Sequence, residues 1–229
     1  MKYEIKGGNL PVVICTLDEN EKMNTQGGGM TWMSPNMQME TEGGGGLGKA
    51  FGRALSGEKI FRNEYTAHGG SGMIAFASSV PGAIVAVEVT PDKPIVVQKG
   101  SYLAATEGIN TEVFFRKQLG SGLFGGEGFI MQKVTGNGIV FLEIDGASVE
   151  YELKAGEKMV VDTGNLAYMD ATCSMDIVQV KGVKNVLFGG EGLFNTVITG
   201  PGKMTVQTIS LSEFGARVAP FVAAHIPSK

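Results

Sequence analysis

The segment Gly43-Gly44-Gly45-Gly46-Leu47-Gly48-Lys49-Ala50 nearly spells the phosphate-binding loop G-x-x-x-x-G-K-[ST]. In such a loop, backbone N–H groups cradle a phosphate and the lysine reaches it, so Gly46, Gly48 and Lys49 are candidate anion ligands. Ala50 stands where the motif needs a hydroxyl to hold magnesium. The chain also lacks the alternating strand–helix pattern that supports such a loop. The segment therefore reads as a linker entering a short helix over residues 47–55. Gly120-Ser121-Gly122-Leu123-Phe124-Gly125 spells G-x-G-x-x-G, but a dinucleotide site needs a helix directly after the glycines. Here a strand-like run, Phe129 to Val134, comes next instead.

Metal or acid–base chemistry needs a cluster of ligands or an oriented base. The chain has two histidines, His68 in a Gly-rich turn and His225 in the tail, and no pair at ligand spacing. Cys15 and Cys173 lie far apart in apolar runs and read as buried free thiols of a reducing compartment. Glu58, Glu127 and Glu191 recur at equivalent places of an internal repeat. Three such carboxylates could line an axis, but bonding to turn N–H groups explains them as well. Trp32, with Met33 and Met37, belongs to a Met-rich stretch suited either to a core or to an adaptable apolar contact. No catalytic, cofactor-binding or metal-binding residue is assigned, and no cofactor is expected.

The elements that would position these residues are strands. The chain has 229 residues, 35 of them glycine, and only 18% are charged, against about 25% in an average domain. Many short strands joined by glycine turns give such a composition. Net charge is −4, and no Lys/Arg block exceeds two residues, which excludes the basic footprint that nucleic-acid binding requires. Met1 to Asn9 carries no apolar signal core, and Val218 to Ile226 is far short of the ~20 residues of a membrane span. The expected location is the cytoplasm.

An internal repeat organises the strands. LFGGEG occurs at Leu123–Gly128 and at Leu187–Gly192, an offset of 187 − 123 = 64. Thr135-Gly136-Asn137-Gly138 then matches Thr199-Gly200-Pro201-Gly202. A weaker copy starts at Gly57-Glu58, with Ile60-Phe61 matching Phe129-Ile130 and Leu193-Phe194. Gly28, Gly100 and Gly164 each come after a strand-like run. Taken from LFGGEG, the units fall near 57–115 and 126–180, with the first half of a unit near 190–209 completed by the second half of one near 1–41. The expectation is one domain, 1–229, of three pseudo-threefold units, closed by pairing of N- and C-terminal strands. Asp145-Gly146 signals a hairpin, and Val149, Tyr151 and Leu153 alternate as the inward face of a half-buried strand. A helix is expected at Leu211 to Ala224, with Ser210 or Ser212 as cap and Pro220 as an interruption.

These motifs resemble a family. Met33-Ser34-Pro35-Asn36-Met37, the Gly43–Gly48 run, Gly57-Glu58, Pro81-Gly82, both LFGGEG strings and Gly200-Pro201-Gly202 are similar to the bacterial and archaeal family related to the mitochondrial altered-inheritance (number twenty-four) protein. The resemblance spans nearly the whole chain. It implies an all-β fold, a short double-stranded β-helix or β-sandwich like that of the tryptophan RNA-binding attenuation protein, triplicated in one chain. It carries over no catalytic residue. Its mitochondrial members, implicated in inner-membrane organisation, suggest a scaffold. The attenuation protein binds tryptophan and RNA, a use that the low basic content does not support.

The expected function is a non-enzymatic scaffold or binding protein that forms homo-oligomers through flat β faces or the Met-rich strand. A small-molecule or anion-binding module is the alternative. A metal-dependent enzyme of double-stranded β-helix type comes third.

Overall fold

The structure, a computed structural model, describes residues 1–26, 29–42, 62–117, 128–179 and 194–223. Among them the chain forms nineteen strands and one α-helix. After an N-terminal strand β1 (Lys2–Lys6), the strands fall into three sets of six. The first is β2 (Val12–Leu17), β3 (Lys22–Gln26), β4 (Met30–Met33), β5 (Met37–Glu42), β6 (Arg62–Ala67) and β7 (Gly72–Ala77). The second is β8 (Gly82–Val89), β9 (Ile95–Gln98), β10 (Tyr102–Thr106), β11 (Ile109–Lys117), β12 (Phe129–Gly136) and β13 (Gly138–Asp145). The third is β14 (Ser148–Leu153), β15 (Lys158–Asp162), β16 (Leu166–Asp170), β17 (Ser174–Gln179), β18 (Phe194–Thr199) and β19 (Gly202–Gln207). Helix α1 (Leu211–Ala223) completes the described chain.

Each set is wired alike. Its last strand lies between its first and third, as in β8-β13-β10, and its fifth lies between its second and fourth, as in β11-β12-β9. A unit is thus two three-stranded antiparallel sheets held by the hairpin made last. Units then join edge to edge: β3 of the first pairs with β10 of the second, and β9 of the second with β16 of the third. The result is four sheets, ordered β1-β2-β7-β4, β5-β6-β3-β10-β13-β8, β11-β12-β9-β16-β19-β14 and β15-β18-β17.

The two six-stranded sheets are walls between cores, and alternation of side chains along a strand feeds both faces. On β13, Ile139 and Phe141 enter the first core, and Val140, Leu142 and Ile144 the second. On β9, Ile95 and Val97 enter the second core and Val96 the third. Burial on both faces accounts for the near-continuous apolar run Ile139–Ile144. A bulge breaks the alternation at one equivalent place in each unit, between Met30 and Trp32, Tyr102 and Ala104, and Leu166 and Tyr168. The extra residue shifts the parity, so the neighbours Leu103 and Ala104 share the first core.

The unit connectors are laced together. Gly82 N–H donates to Asn9 O (2.7 Å), Gly146 N–H to Pro81 O (2.9 Å) and Thr208 N–H to Ala147 O (3.0 Å). Buried Glu143 accepts from the Ser79 N–H at 2.5 Å and from the Ser78 and Ser79 hydroxyls at 2.8 and 2.9 Å. The side-chain oxygen of Gln207, one unit later, accepts from Asp145 N–H at 3.1 Å.

Several expectations change. Three sets of strands share one wiring, and they begin elsewhere than the expected units. The Thr135–Gly138 and Thr199–Gly202 matches are the turns of the closing hairpins β12–β13 and β18–β19. Those hairpins belong with the strands before them, so the described residues form three whole units and no halves. Residues 1–41 pair with β6, β7 and β10; among the described residues none pairs with residues 194–209, and the expected closure by the termini is absent. Asp145-Gly146 does turn the chain, with Gly146 at φ +71, but β13 and β14 do not pair with each other. A turn signal reports backbone conformation, and here that turn carries the chain from one sheet to the next. Val149 and Tyr151 are exposed because β14 is an edge strand, while Leu153 is buried. Gly100 and Gly164 lie in matching 3-10 turns. Ser210 caps α1 reciprocally with Glu213, its hydroxyl accepting from Glu213 N–H and Glu213 Oε2 from Ser210 N–H, the S-x-x-E capping box. The helix runs through Pro220, close enough to its end that only the last turn loses a backbone bond. The helix expected over 47–55 lies outside the described residues.

Two substitutions test this arrangement. Phe141→Ala should cost about 3–5 kcal/mol by opening a void in the first core. Gly136, at φ +114, faces the Gly108 carbonyl oxygen where a Cβ would sit. Gly136→Ala should therefore cost more than about 1 kcal/mol. Urea unfolding reads both as a lowered midpoint at unchanged slope.

Candidate interaction surface

The pairing rule leaves two strands without the neighbour that their counterparts have. Among the described residues the third strand of the first unit, β4, pairs only with β7, and the second strand of the third unit, β15, pairs only with β18. On its inner side β4 is well fastened. Ala77 N–H donates to Thr31 Oγ1 (3.0 Å), Met73 N–H to Ser34 Oγ (2.7 Å), and Ser34 N–H to Met73 O (2.8 Å). Its outer side is open. Trp32 is 43% exposed, whereas Ala104, at the same place on β10, is 0%. Val160 on β15 is 61% exposed, whereas Val96 on β9 and Asn24 on β3 are 0% and 7%.

Sheet edges are ordinarily guarded by charge. The edge strands β1, β5, β8, β11, β14 and β17 carry such residues, among them Lys2, Glu4 and Lys6 on β1 and Glu150 and Glu152 on β14. Among the described edge strands β4, Met30-Thr31-Trp32-Met33, is the one without a charge. On β15 the charges Lys158 and Asp162 stand at the ends, and the middle is Met159-Val160-Val161. A further apolar surface lies on α1, where Leu211, Phe214, Val218 and Phe221 are exposed at helical spacing.

The residues singled out in the sequence separate accordingly. Trp32 and Met33 lie on the open strand, Trp32 exposed and Met33 half-buried against the first core. Met37 is a core residue of β5, its sulfur packed over Gly72. Gly46, Gly48, Lys49, Glu58, Glu127 and Glu191 lie outside the described residues, as does His225. His68 sits in the β6–β7 turn, its N–H donating to Asn36 O (3.0 Å) and its carbonyl accepting from Asn36 Nδ2 (3.2 Å). Both cysteines are buried and free. Burial pushes the Cys15 thiol up to about 12, and burial with Asp170 nearby raises Cys173. Thiols so shifted are poor nucleophiles at neutral pH. Among the described residues no group of three or more His, Cys, Asp or Glu could hold a metal ion. No helix there is long and apolar enough to cross a membrane. Sequence reasoning placed a strand-like run before Gly164, which is β15, but did not single it out as a contact surface. Its signal was available: it is the second strand of the last unit among the described residues.

Comparison with known proteins fits this picture of the fold. A family model described as mitochondrial biogenesis AIM24 matches residues 3–209. An uncharacterised protein of Streptococcus pyogenes serotype M6 is 29% identical, over 97% of this chain and 91% of its own length. A crystal structure of a Streptococcus pyogenes protein, a structural-genomics target, superposes with a TM-score of 0.80 at 24% identity, covering 96% of this chain and 99% of that one.

One titration ties α1 to the sheets. Burial raises the Asp145 carboxyl to about 6, a bond from Leu211 N–H at the helix start lowers it, and Glu143 nearby raises it. A carboxyl with a folded pKa above its unfolded value favours the fold when protonated. Its contribution should therefore fall as pH rises from about 4 to about 6 and stay low above that. Asp145→Asn keeps an acceptor for Leu211. Urea unfolding across that range should show wild type losing stability relative to the variant as pH rises.

Proposed function

We propose that this chain, which belongs to the mitochondrial biogenesis AIM24 family, is a non-enzymatic scaffold that assembles with copies of itself. The observation that carries the reading is the pair of open strands. The row of units ends at each extremity in an apolar edge, exposing Trp32 and Val160 where the internal counterparts Ala104 and Val96 are fully buried. Exposed apolar surface of this kind, rimmed by polar residues, marks interaction sites.

The electrostatics support a structural role. Cys15 is pushed up to about 12 by burial alone, and Tyr102 reaches about 12 by burial against a smaller opposing effect of Arg62. Such shifts keep both groups neutral at physiological pH and ill-suited to nucleophilic or acid–base work. Several charged side chains serve the fold. Lys22 pairs with Glu64 across β3 and β6 at 2.7 Å. Arg62 donates to Ile109 O (3.2 Å) and Thr111 Oγ1 (2.6 Å), tying the first unit to the second.

Light scattering across a dilution series tests the reading. The expected outcome is a mass of at least two chains that falls on dilution. A monomer throughout the series would overturn it.

A further inference from the structure

We infer that a small oxyanion, a carboxylate or phosphate group, binds between the two six-stranded sheets, held by the Arg62 guanidinium, the Tyr102 hydroxyl and the Gln132 amide. This goes beyond the scaffold reading and does not depend on it.

Five polar side chains meet there. Gln26 on β3 and Arg62 on β6 are directly opposed, so both project from the same face of their sheet. Both reach across to the facing sheet. Gln26 Nε2 donates to Gln132 Oε1 on β12 at 2.9 Å, and Arg62 donates to Thr111 Oγ1 on β11 at 2.6 Å. Tyr102, on β10 beside β3, enters the second core from the first of these sheets. Burial raises its hydroxyl to about 12 and the Arg62 charge works against that rise, so the guanidinium lies within electrostatic reach of it.

Two of these groups are left over. Tyr102 is 6% exposed and Gln132 is 0% exposed. Among the described residues neither the Tyr102 hydroxyl nor Gln132 Nε2 has a hydrogen-bond partner. A buried polar group without a partner destabilises a fold, so a pair of them calls for an occupant. Turning both amides over leaves one end of Gln132 unpaired all the same. Arg62 sets the sign of that occupant, because its planar fork of donors suits a carboxylate or a phosphate. Glu64, on the same face of β6, is already held by Lys22 at 2.7 Å. The site lies near the rim of the core: Val113, directly opposite Gln132 on the edge strand β11, is 44% exposed.

The next junction shows that the wiring itself does not call for these groups. There the registers place Gln98, Met131, Leu166, Met175 and Thr196 where Gln26, Arg62, Tyr102, Thr111 and Gln132 stand in the first. Met131 and Leu166 are buried in the third core and Met175 packs against it. The Thr196 hydroxyl is bonded to Thr163 Oγ1 at 3.2 Å. Gln98, whose Oε1 also lacks a partner, is the one amide kept, and it stands opposite Met131. A largely apolar junction therefore serves the same connection of units, and the arginine and tyrosine of the second core are additional to it.

Calorimetric titration of the full chain tests this, with sodium phosphate and sodium acetate as probes, each against sodium chloride at equal ionic strength. Wild type should bind at least one of the two oxyanions, and the one it prefers identifies the group. Arg62→Met and Tyr102→Leu install the residues of the next junction, and each should weaken binding about tenfold or more. Tyr102→Phe, which removes the hydroxyl alone, decides the matter should either of those fail to fold. Without oxyanion it should unfold in urea at a midpoint no lower than that of wild type, and it should still bind more weakly. Wild type that binds neither oxyanion would overturn the proposal and leave an ordered water as the partner of the two atoms. Unchanged affinity in Arg62→Met or in Tyr102→Phe would place the anion elsewhere and overturn it as well.

Discussion

At both internal junctions the second strand of one unit pairs with the third strand of the next. A unit's closing hairpin can occupy one side of each and no more, and an unpaired row of backbone N–H and C=O groups at a sheet edge invites a partner. The remaining features arise from that constraint. The units share sheets, since β3 reaches β10 and β9 reaches β16. The shared sheets acquire a core on each face, so inner strands such as β9 and β13 are apolar on both sides. The middle unit is the one whose second and third strands are both satisfied by neighbours.

The sequence speaks clearly about what is local and periodic. Glycine-rich turns and short apolar runs identified an all-β chain, the 64-residue offset identified the repeat, and Ser210 or Ser212 marked the start of the helix. It was silent on phase. A period reads the same wherever counting starts, and the strings most alike, LFGGEG, connect the fourth strand of a unit to its fifth. Counting from them split each unit in its middle and made the chain ends look like complementary halves. Asp145-Gly146 misled for a related reason: the turn is local, whereas the partner of β14 is β19, more than fifty residues away.

The candidate surface was half legible. Trp32 and Met33 stood out by residue type, yet Met37 in the same stretch belongs to the core. Met159-Val160-Val161 on β15 reads like Ile95-Val96-Val97 on β9, and nothing in the three residues distinguishes an exposed strand from a buried one. The difference lies further along the chain: β16 of the next unit pairs with β9, and no described strand does the same for β15. Exposure here is a property of position in the row, which residue types do not record.

The wiring within a unit also dictates when it can form during synthesis. The first four strands of a unit do not pair with one another; β8 and β10 await β13, and β9 and β11 await β12. A ribosome therefore releases four strands with no partner in their own unit before the two that organise them emerge. The nascent chain advances by whole units, and each completed unit offers its second strand as a template for the third strand of the next. Translation order and assembly order run in the same direction, with the most exposed stage falling just before each closing hairpin emerges.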